Sequence, residues 1–206
     1  MATDSRSCAQ VLGELWPLSG AHILHLYLSE AERQQAVFDF VSAGLARGER
    51  ICVVHDHPVQ PLLADFGLRP GAPGDGLAQA ILPLVTASSR EFYLHDGVFS
   101  LERVYRKWHE LYRTTRLAGL PAYQALGEVL PDLERVAGGP AVVLYEKHLN
   151  GVIQASPPTC VICQYDARAF QGATLVGTLR AHPLVLVGNR ILPNPLYEPC
   201  ASTLSH

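Results

Sequence analysis

Residues 22–55 read HILHLYLSEAERQQAVFDFVSAGLARGERICVVH, and this stretch decides the fold class. His22–Leu28 is a mostly apolar run of strand length. Ser29 follows as a helix N-cap with Glu32 three residues on, the pairing of a capping box. Ala36, Val37, Phe40, Val41, Gly44 and Leu45 then recur near the i, i+3, i+4, i+7 spacing of one helix face. Arg47-Gly48-Glu49 ends that helix, and Ile51–His55 is an unbroken apolar run, as a parallel strand buried on both faces tends to be. Strand, helix and strand in this order make a βαβ unit, so the fold class is α/β with a mainly parallel sheet flanked by helices.

Downstream, Pro58 stops the second strand, a helix is expected over Val59–Phe66, and RPGAPGDG (69–76) reads as a loop. A third strand is expected near Ile81–Thr86 and a long helix from Ser100, as cap, to Leu117, with Val104, Trp108, Leu111 and Tyr112 on its inner stripe. Tyr123–Leu126 reads as strand four with Gly127-Glu128 at its C-terminal end. Pro140–Ile153 fits a strand at AVVLY but a helix through Leu144, His148 and Leu149, and helix is preferred because Pro157-Pro158 separates it from the next strand, Thr159–Tyr165. A helix over Gln171–Ala181 precedes Leu184–Val187 and Arg190–Leu192, whose Gly188-Asn189 link suits a primed hairpin turn and an antiparallel sheet edge. Residues 1–20 are an N-terminal arm, 21–197 one domain, and 198–206 a tail.

The 206 residues carry a net charge of −3, from 16 Lys+Arg against 19 Asp+Glu, which lacks the basic excess of a nucleic-acid module. The one basic cluster, Arg103, Arg106, Lys107, Arg113 and Arg116, is interspersed with Glu102 and Glu110, as on a solvated helix face. No apolar run approaches the ~18 residues of a membrane span. MATDSRSCAQ (1–10) has no basic segment leading into an apolar one, so export is not expected. Five cysteines at irregular spacing suit reduced thiols in a cytoplasmic protein.

YLSEAERQQ (27–35) follows strand one where a phosphate-binding loop would need glycines and a lysine, so a P-loop ATPase is not expected. GxGxxG and GxSxG are also absent, against a dinucleotide fold and an α/β-hydrolase. In open α/β sheets ligands bind beyond the C-terminal strand ends. His55 and His57 lie there two residues apart, on one face of an extended chain, as contacts for a ligand or as candidate metal ligands. Glu128 ends strand four, and Gln164-Tyr165-Asp166 ends strand five, with Asp166 placed either to cap the next turn through Arg168 or to read a ligand. Cys160 and Cys163 spell CxxC, but residues three apart on a strand point to opposite faces, so buried structural cysteines are the preferred reading. His182-Pro183 reads as a loop rather than a base.

CQYDARAFQG (163–172) followed by LRAHPLVLVGNRILPNPLY (179–197) resembles the C-terminal signature of the MEDS domain, a sensory domain of methanogens, methylotrophs and a dichloromethane-responsive transcriptional regulator. HILHLYLSE (22–30), GLARGERICVV (44–54), EFYLHDGVFSLERV (91–104), LGEV (126–129) and YEKHLN (145–150) match in order upstream. The resemblance implies a RecA-like sheet without the phosphate loop and the sensing of small hydrocarbon-derived ligands. The family motif positions present are His22, Glu49, Gly97, Glu128, Glu146, Asn150, Gln164, Tyr165, Asp166, His182 and Pro183. The flanks leave no room for an effector, so signalling through a separate partner protein is expected, with no direct nucleic-acid or membrane binding.

Three readings follow. The first is a non-catalytic sensory module that binds a small, partly apolar molecule at the strand ends, lined by His22, His55, His57, Glu128, Glu146, Gln164, Tyr165 and Asp166. The second is an enzyme in the same crevice, with Glu128 or Asp166 as base and a metal at His55/His57. The third is an ATPase-like scaffold that mediates assembly.

Overall fold

A computed structural model describes residues 20–56, 84–156 and 159–199. The N-terminal arm, the helix expected over Val59–Phe66, the 69–76 loop, His57, Cys8 and Cys200 lie outside the described residues. In chain order the elements are β1 (Ala21–Tyr27), α1 (Glu30–Ala46), β2 (Arg50–Val54), β3 (Leu84–Ala87), α2 (Ser89–Tyr93), β4 (Leu94–His95), β5 (Val98–Phe99), α3 (Leu101–Leu117), β6 (Tyr123–Glu128), α4 (Pro131–Ala137), α5 (Gly139–Ala155), β7 (Thr159–Asp166), α6 (Gly172–Ala181), β8 (Leu184–Val187) and β9 (Arg190–Pro193).

Seven strands form one sheet in the order β3-β2-β6-β7-β1-β8-β9. Every pairing is parallel except β8–β9, the antiparallel edge hairpin expected from Gly188-Asn189, where Gly188 supplies the positive φ of +58°. Strand alternation divides the core. Leu24, Cys52, Val54, Ala125, Val161, Cys163 and Tyr165 face α3 and α5. Ile23, Ile51, Val53, Leu126, Cys160 and Ile162 face α1 with Phe40 and Val41. Two apolar faces explain the unbroken run of β2. The two cysteines of CxxC lie in opposite layers, as strand geometry requires.

Local signals hold where they are short-range. Ser29 Oγ accepts the Glu32 N–H at 3.2 Å, and Glu32 Oε2 reaches back to the N–H of Leu28 at 2.9 Å, one residue outside its usual partner. Ser100 Oγ accepts from Arg103 N–H, and α3 buries Val104 and Trp108. The ambiguous 140–153 stretch is helical, opened by Pro140 in the first turn. Three elements were not anticipated: α2, capped by Ser88; α4; and the β4–β5 ribbon, whose turn residues Asp96 and Gly97 have φ of +51° and +75°. No described helix is long and apolar enough to cross a membrane.

Helices α5 and α6 touch where Gly177 meets Val143: a Cβ on Gly177 would sit 2.5 Å from Val143 Cγ2. Gly151, on the exposed side of α5, has nothing within 4 Å of such a Cβ. Chemical denaturation is therefore expected to show Gly177→Ala destabilised by roughly 1–3 kcal/mol and Gly151→Ala stabilised by roughly 0.5–1 kcal/mol. Equal effects of the two substitutions would contradict this packing.

Candidate functional site

His22 is the second residue of β1 and points toward α5. Cys163 and Tyr165 alternate onto the same face of β7, and the register sets Leu24 beside Cys163 and Leu26 beside Tyr165. Glu146 and Asn150 lie one turn apart on α5, so both reach the same spot on the sheet. His182, the residue that ends α6 before Pro183, closes the group. His22, Glu146, Tyr165 and His182 are wholly buried, and Cys163 nearly so.

The contacts are dense. His22 Nε2 lies 3.4 Å from Cys163 Sγ and 3.3 Å from Glu146 Oε2. Cys163 Sγ lies 3.4 Å from the same oxygen, and His182 Nε2 3.5 Å from it. Tyr165 donates its hydroxyl to Glu146 Oε1. The imidazole planes of His22 and His182 are 3.9 Å apart at their centroids. Burial holds both imidazoles neutral, at about 3 from the usual 6.5. It raises the Glu146 carboxyl, against the nearby His182 and the donors on its oxygens, and pushes the Cys163 thiol well up. One ligand atom each from His22, Glu146, Cys163 and His182 lies within 4.8 Å of the other three, and these are the described residues grouped closely enough to hold a metal ion.

A second polar group occupies the C-terminal strand ends on the opposite, α1 face. Glu128 Oε1 accepts from the Tyr27 hydroxyl at 3.0 Å, Oε2 faces the Asp56 N–H at 3.4 Å, and the Glu128 carbonyl accepts from Ser89 Oγ at 2.7 Å. Burial and the Glu128 charge raise the Tyr27 phenol above its ordinary range. Asp56 Oδ1 accepts from Ser88 Oγ at 2.8 Å and from the Arg90 N–H at 3.2 Å, pinning the start of α2. Gln164 donates to His25 Nδ1 at 3.0 Å and to the Arg33 carbonyl.

The single crevice expected at the strand ends is therefore divided in two by the strand pleat. His22, Glu146 and Tyr165 meet on the α5 face, with His22 near the start rather than the end of its strand. Glu128 and Gln164 lie on the α1 face. Asp166 takes the capping role: it accepts the Arg168 N–H at 3.0 Å and pairs with the Arg168 guanidinium, which holds its carboxyl below the usual range. His55 donates its N–H to the Ala87 carbonyl at 2.9 Å and is not among the described residues close enough to share an ion, while its expected metal partner His57 lies outside them. Cys163 and His182, read from the sequence as a structural cysteine and a loop residue, join the buried group. Only the family motif positions pointed to His182 and Asn150.

Between the flank of α3 and the sheet edge lies an open cleft of about 830 Å³. Cys52, Val85, Ala87, Phe92, Leu94 and Leu111 are among its apolar lining residues, and Glu91, Arg103, Arg106, Lys107 and Glu110 line it with charges of both signs. Lys107 Nζ is held there by the Phe92 carbonyl at 2.7 Å.

The buried imidazoles set a pH dependence. His22 and His182 titrate at about 3 and His25 at about 4 in the fold, against 6.5 in the unfolded chain. Between pH 6.5 and those values the unfolded chain binds more protons, so stability is full above 6.5 and is lost as pH falls. The slope is up to about 1.4 kcal/mol per pH unit for each imidazole. The raised Glu146 works in the opposite sense and offsets one imidazole at most. Urea unfolding in chelator-containing buffer is expected to lose roughly 2–3 kcal/mol between pH 6.5 and 5.5, less in His25→Gln; a flat profile would contradict burial of neutral imidazoles.

No curated protein matches the chain. A family model, that of the MEthanogen/methylotroph, DcmR Sensory domain, matches residues 21–183, from the first residue of β1 to the residue after His182. Its span takes in both polar groups and the cleft, and covers most of the chain: this protein belongs to the MEDS family of sensory domains.

Proposed function

We propose that this MEDS domain is a non-catalytic sensory module that binds a small, partly apolar molecule in the cleft beside α3 and passes the change to a separate partner protein. The observation that carries this reading is the cleft itself. Its volume, about 830 Å³, falls in the range of small-molecule sites, and its lining offers both apolar and charged side chains to a partly apolar molecule. Helix α2 forms one wall through Phe92 and Tyr93, and its other end is tied to the strand-end group through Ser88, Ser89 and Arg90. A ligand that favours one position of α2 shifts the population of that position, and Asp56 and Glu128 feel the shift at the opposite end of the helix. Asp132 on α4, paired with Arg90 at 2.5 Å, carries it to the surface.

The test is a thermal-shift screen with halogenated and oxygenated hydrocarbons and small apolar carboxylates. A binder at about 100 times its Kd stabilises by about 2.7 kcal/mol, which for a domain of this size raises Tm by roughly 5–10 °C. Leu111→Trp, which fills the cleft from its α3 wall, is expected to keep the unliganded Tm within a few degrees and to lose the shift. A shift that survives Leu111→Trp would place binding elsewhere. Consumption of the compound, abolished by Glu128→Gln, would replace sensing by catalysis.

A further inference from the structure

The buried group on the α5 face has a feature that a proton-sharing network does not require: its two imidazoles are aimed. Asn150 gives its amide nitrogen to the Ala181 carbonyl at 2.8 Å, so its Oδ1 faces His22 Nδ1 at 3.1 Å as an acceptor. His182 Nδ1 sits 2.7 Å from the Thr178 carbonyl, which can only accept. Both rings therefore carry their proton on Nδ1 and present an unprotonated Nε2 inward. The His182 Nε2, fully buried, has no hydrogen-bond partner. Such outer hydrogen bonds from Nδ1, and the Tyr165 hydroxyl on the outer oxygen of Glu146, are what orient histidine and carboxylate ligands around a metal.

The spacing fits the same end. A tetrahedral ion with ligands at about 2.0–2.3 Å sets its ligand atoms about 3.3–3.6 Å apart. Four of the six edges among His22 Nε2, Cys163 Sγ, Glu146 Oε2 and His182 Nε2 are 3.3, 3.4, 3.4 and 3.5 Å, and one ligand atom from each residue lies within 4.8 Å of the other three. Charge also closes. A divalent cation with one thiolate, one carboxylate and two neutral imidazoles is neutral overall, the condition for placing ions where no water reaches. We infer that His22, Glu146, Cys163 and His182 form a closed four-ligand site for one divalent transition metal of the zinc type. The donor set excludes magnesium and calcium, which take oxygen ligands. Four protein ligands leave no open position, so the site is structural rather than hydrolytic. On binding, the Cys163 thiol releases its proton to solvent as its metal bond forms, and Glu146 binds as the carboxylate. The site lies on β1, β7, α5 and the end of α6, apart from the cleft, and does not depend on the sensory reading.

The test uses the full chain refolded from denaturant with EDTA, with Zn²⁺ or with Co²⁺. One metal per chain by elemental analysis, a higher Tm with Zn²⁺, and tetrahedral Co²⁺ absorption with a thiolate charge-transfer band are expected. Cys163→Ala is expected to lose the charge-transfer band and to weaken Co²⁺ binding by more than the roughly 10–100-fold that an outer partner costs. Tyr165→Phe, which keeps all four ligands, is expected to fall within that 10–100-fold range. Cys160→Ala, in the opposite core layer, is expected to bind as the wild type and serves as the folded control. Absence of stoichiometric metal in the wild type, or Co²⁺ binding with an unchanged charge-transfer band in Cys163→Ala, overturns the assignment.

Discussion

A carboxyl group sealed away from water has to be satisfied by the protein around it, and the Glu146 carboxyl takes two side-chain donors and faces two imidazole nitrogens. Tyr165 and Cys163 meet it from β7, His22 from β1 and His182 from the end of α6, while its own helix supplies the backbone. Leaving such a group unmet costs several kcal/mol, so the four elements can pack in only one mutual arrangement. The central β1–β7 pairing, the seat of α5 on the sheet and the turn from α6 into the edge hairpin are fixed by that requirement together with the apolar layers on either side. Deep burial also explains why the imidazoles are held neutral and the carboxyl resists ionisation, because every charged form here is penalised until a compensating charge arrives.

The pleat of a parallel sheet turns one list of polar residues into two sites. Along β7, Cys163 and Tyr165 look one way and Gln164 the other; along β1, His22 looks one way and His25 and Tyr27 the other. Glu128 and its partners therefore form a separate group at the strand ends, in direct contact with the N-terminal turn of α2. The same short helix walls the cleft beside α3. A buried anchor on one side and a helix shared by the cleft and the strand ends on the other is an arrangement in which a rigid half can support a responsive one.

What the sequence disclosed followed from the range of each interaction. Ser29 and Ser100 cap their helices because capping spans three residues, and the Gly188 turn forms because it needs two. Periodicity was enough for α1, α3 and α5, and an apolar run for β2. The β4–β5 ribbon was legible in Asp96-Gly97, a primed-turn pair, and was missed because the strands it joins are two residues each. Strand one and strand two end at Tyr27 and Val54, a residue earlier than their apolar runs suggest.

The buried site was legible only in part. His22, Glu146, Asn150, Tyr165 and His182 stand out as motif positions of the resemblance, but contacts such as His22 to Cys163 join residues 141 positions apart, and no local pattern reports them. The assumption that polar residues gather at strand ends placed all of them in one crevice. On its residues alone His182 reads as a loop, because a His-Pro pair follows a helix, and its place in the group exists only once α6 has docked on α5.

The most direct test of the central claim is a ¹³C NMR titration of the glutamate carboxyl carbons in the chelator-treated protein, with Glu146→Gln to assign the signal. The account predicts one glutamate that titrates above the ordinary range of about 4.5 and is missing from the variant. A spectrum in which every glutamate titrates at or below that range would contradict a sealed Glu146 carboxyl, and with it the arrangement of the strands and helices built around it.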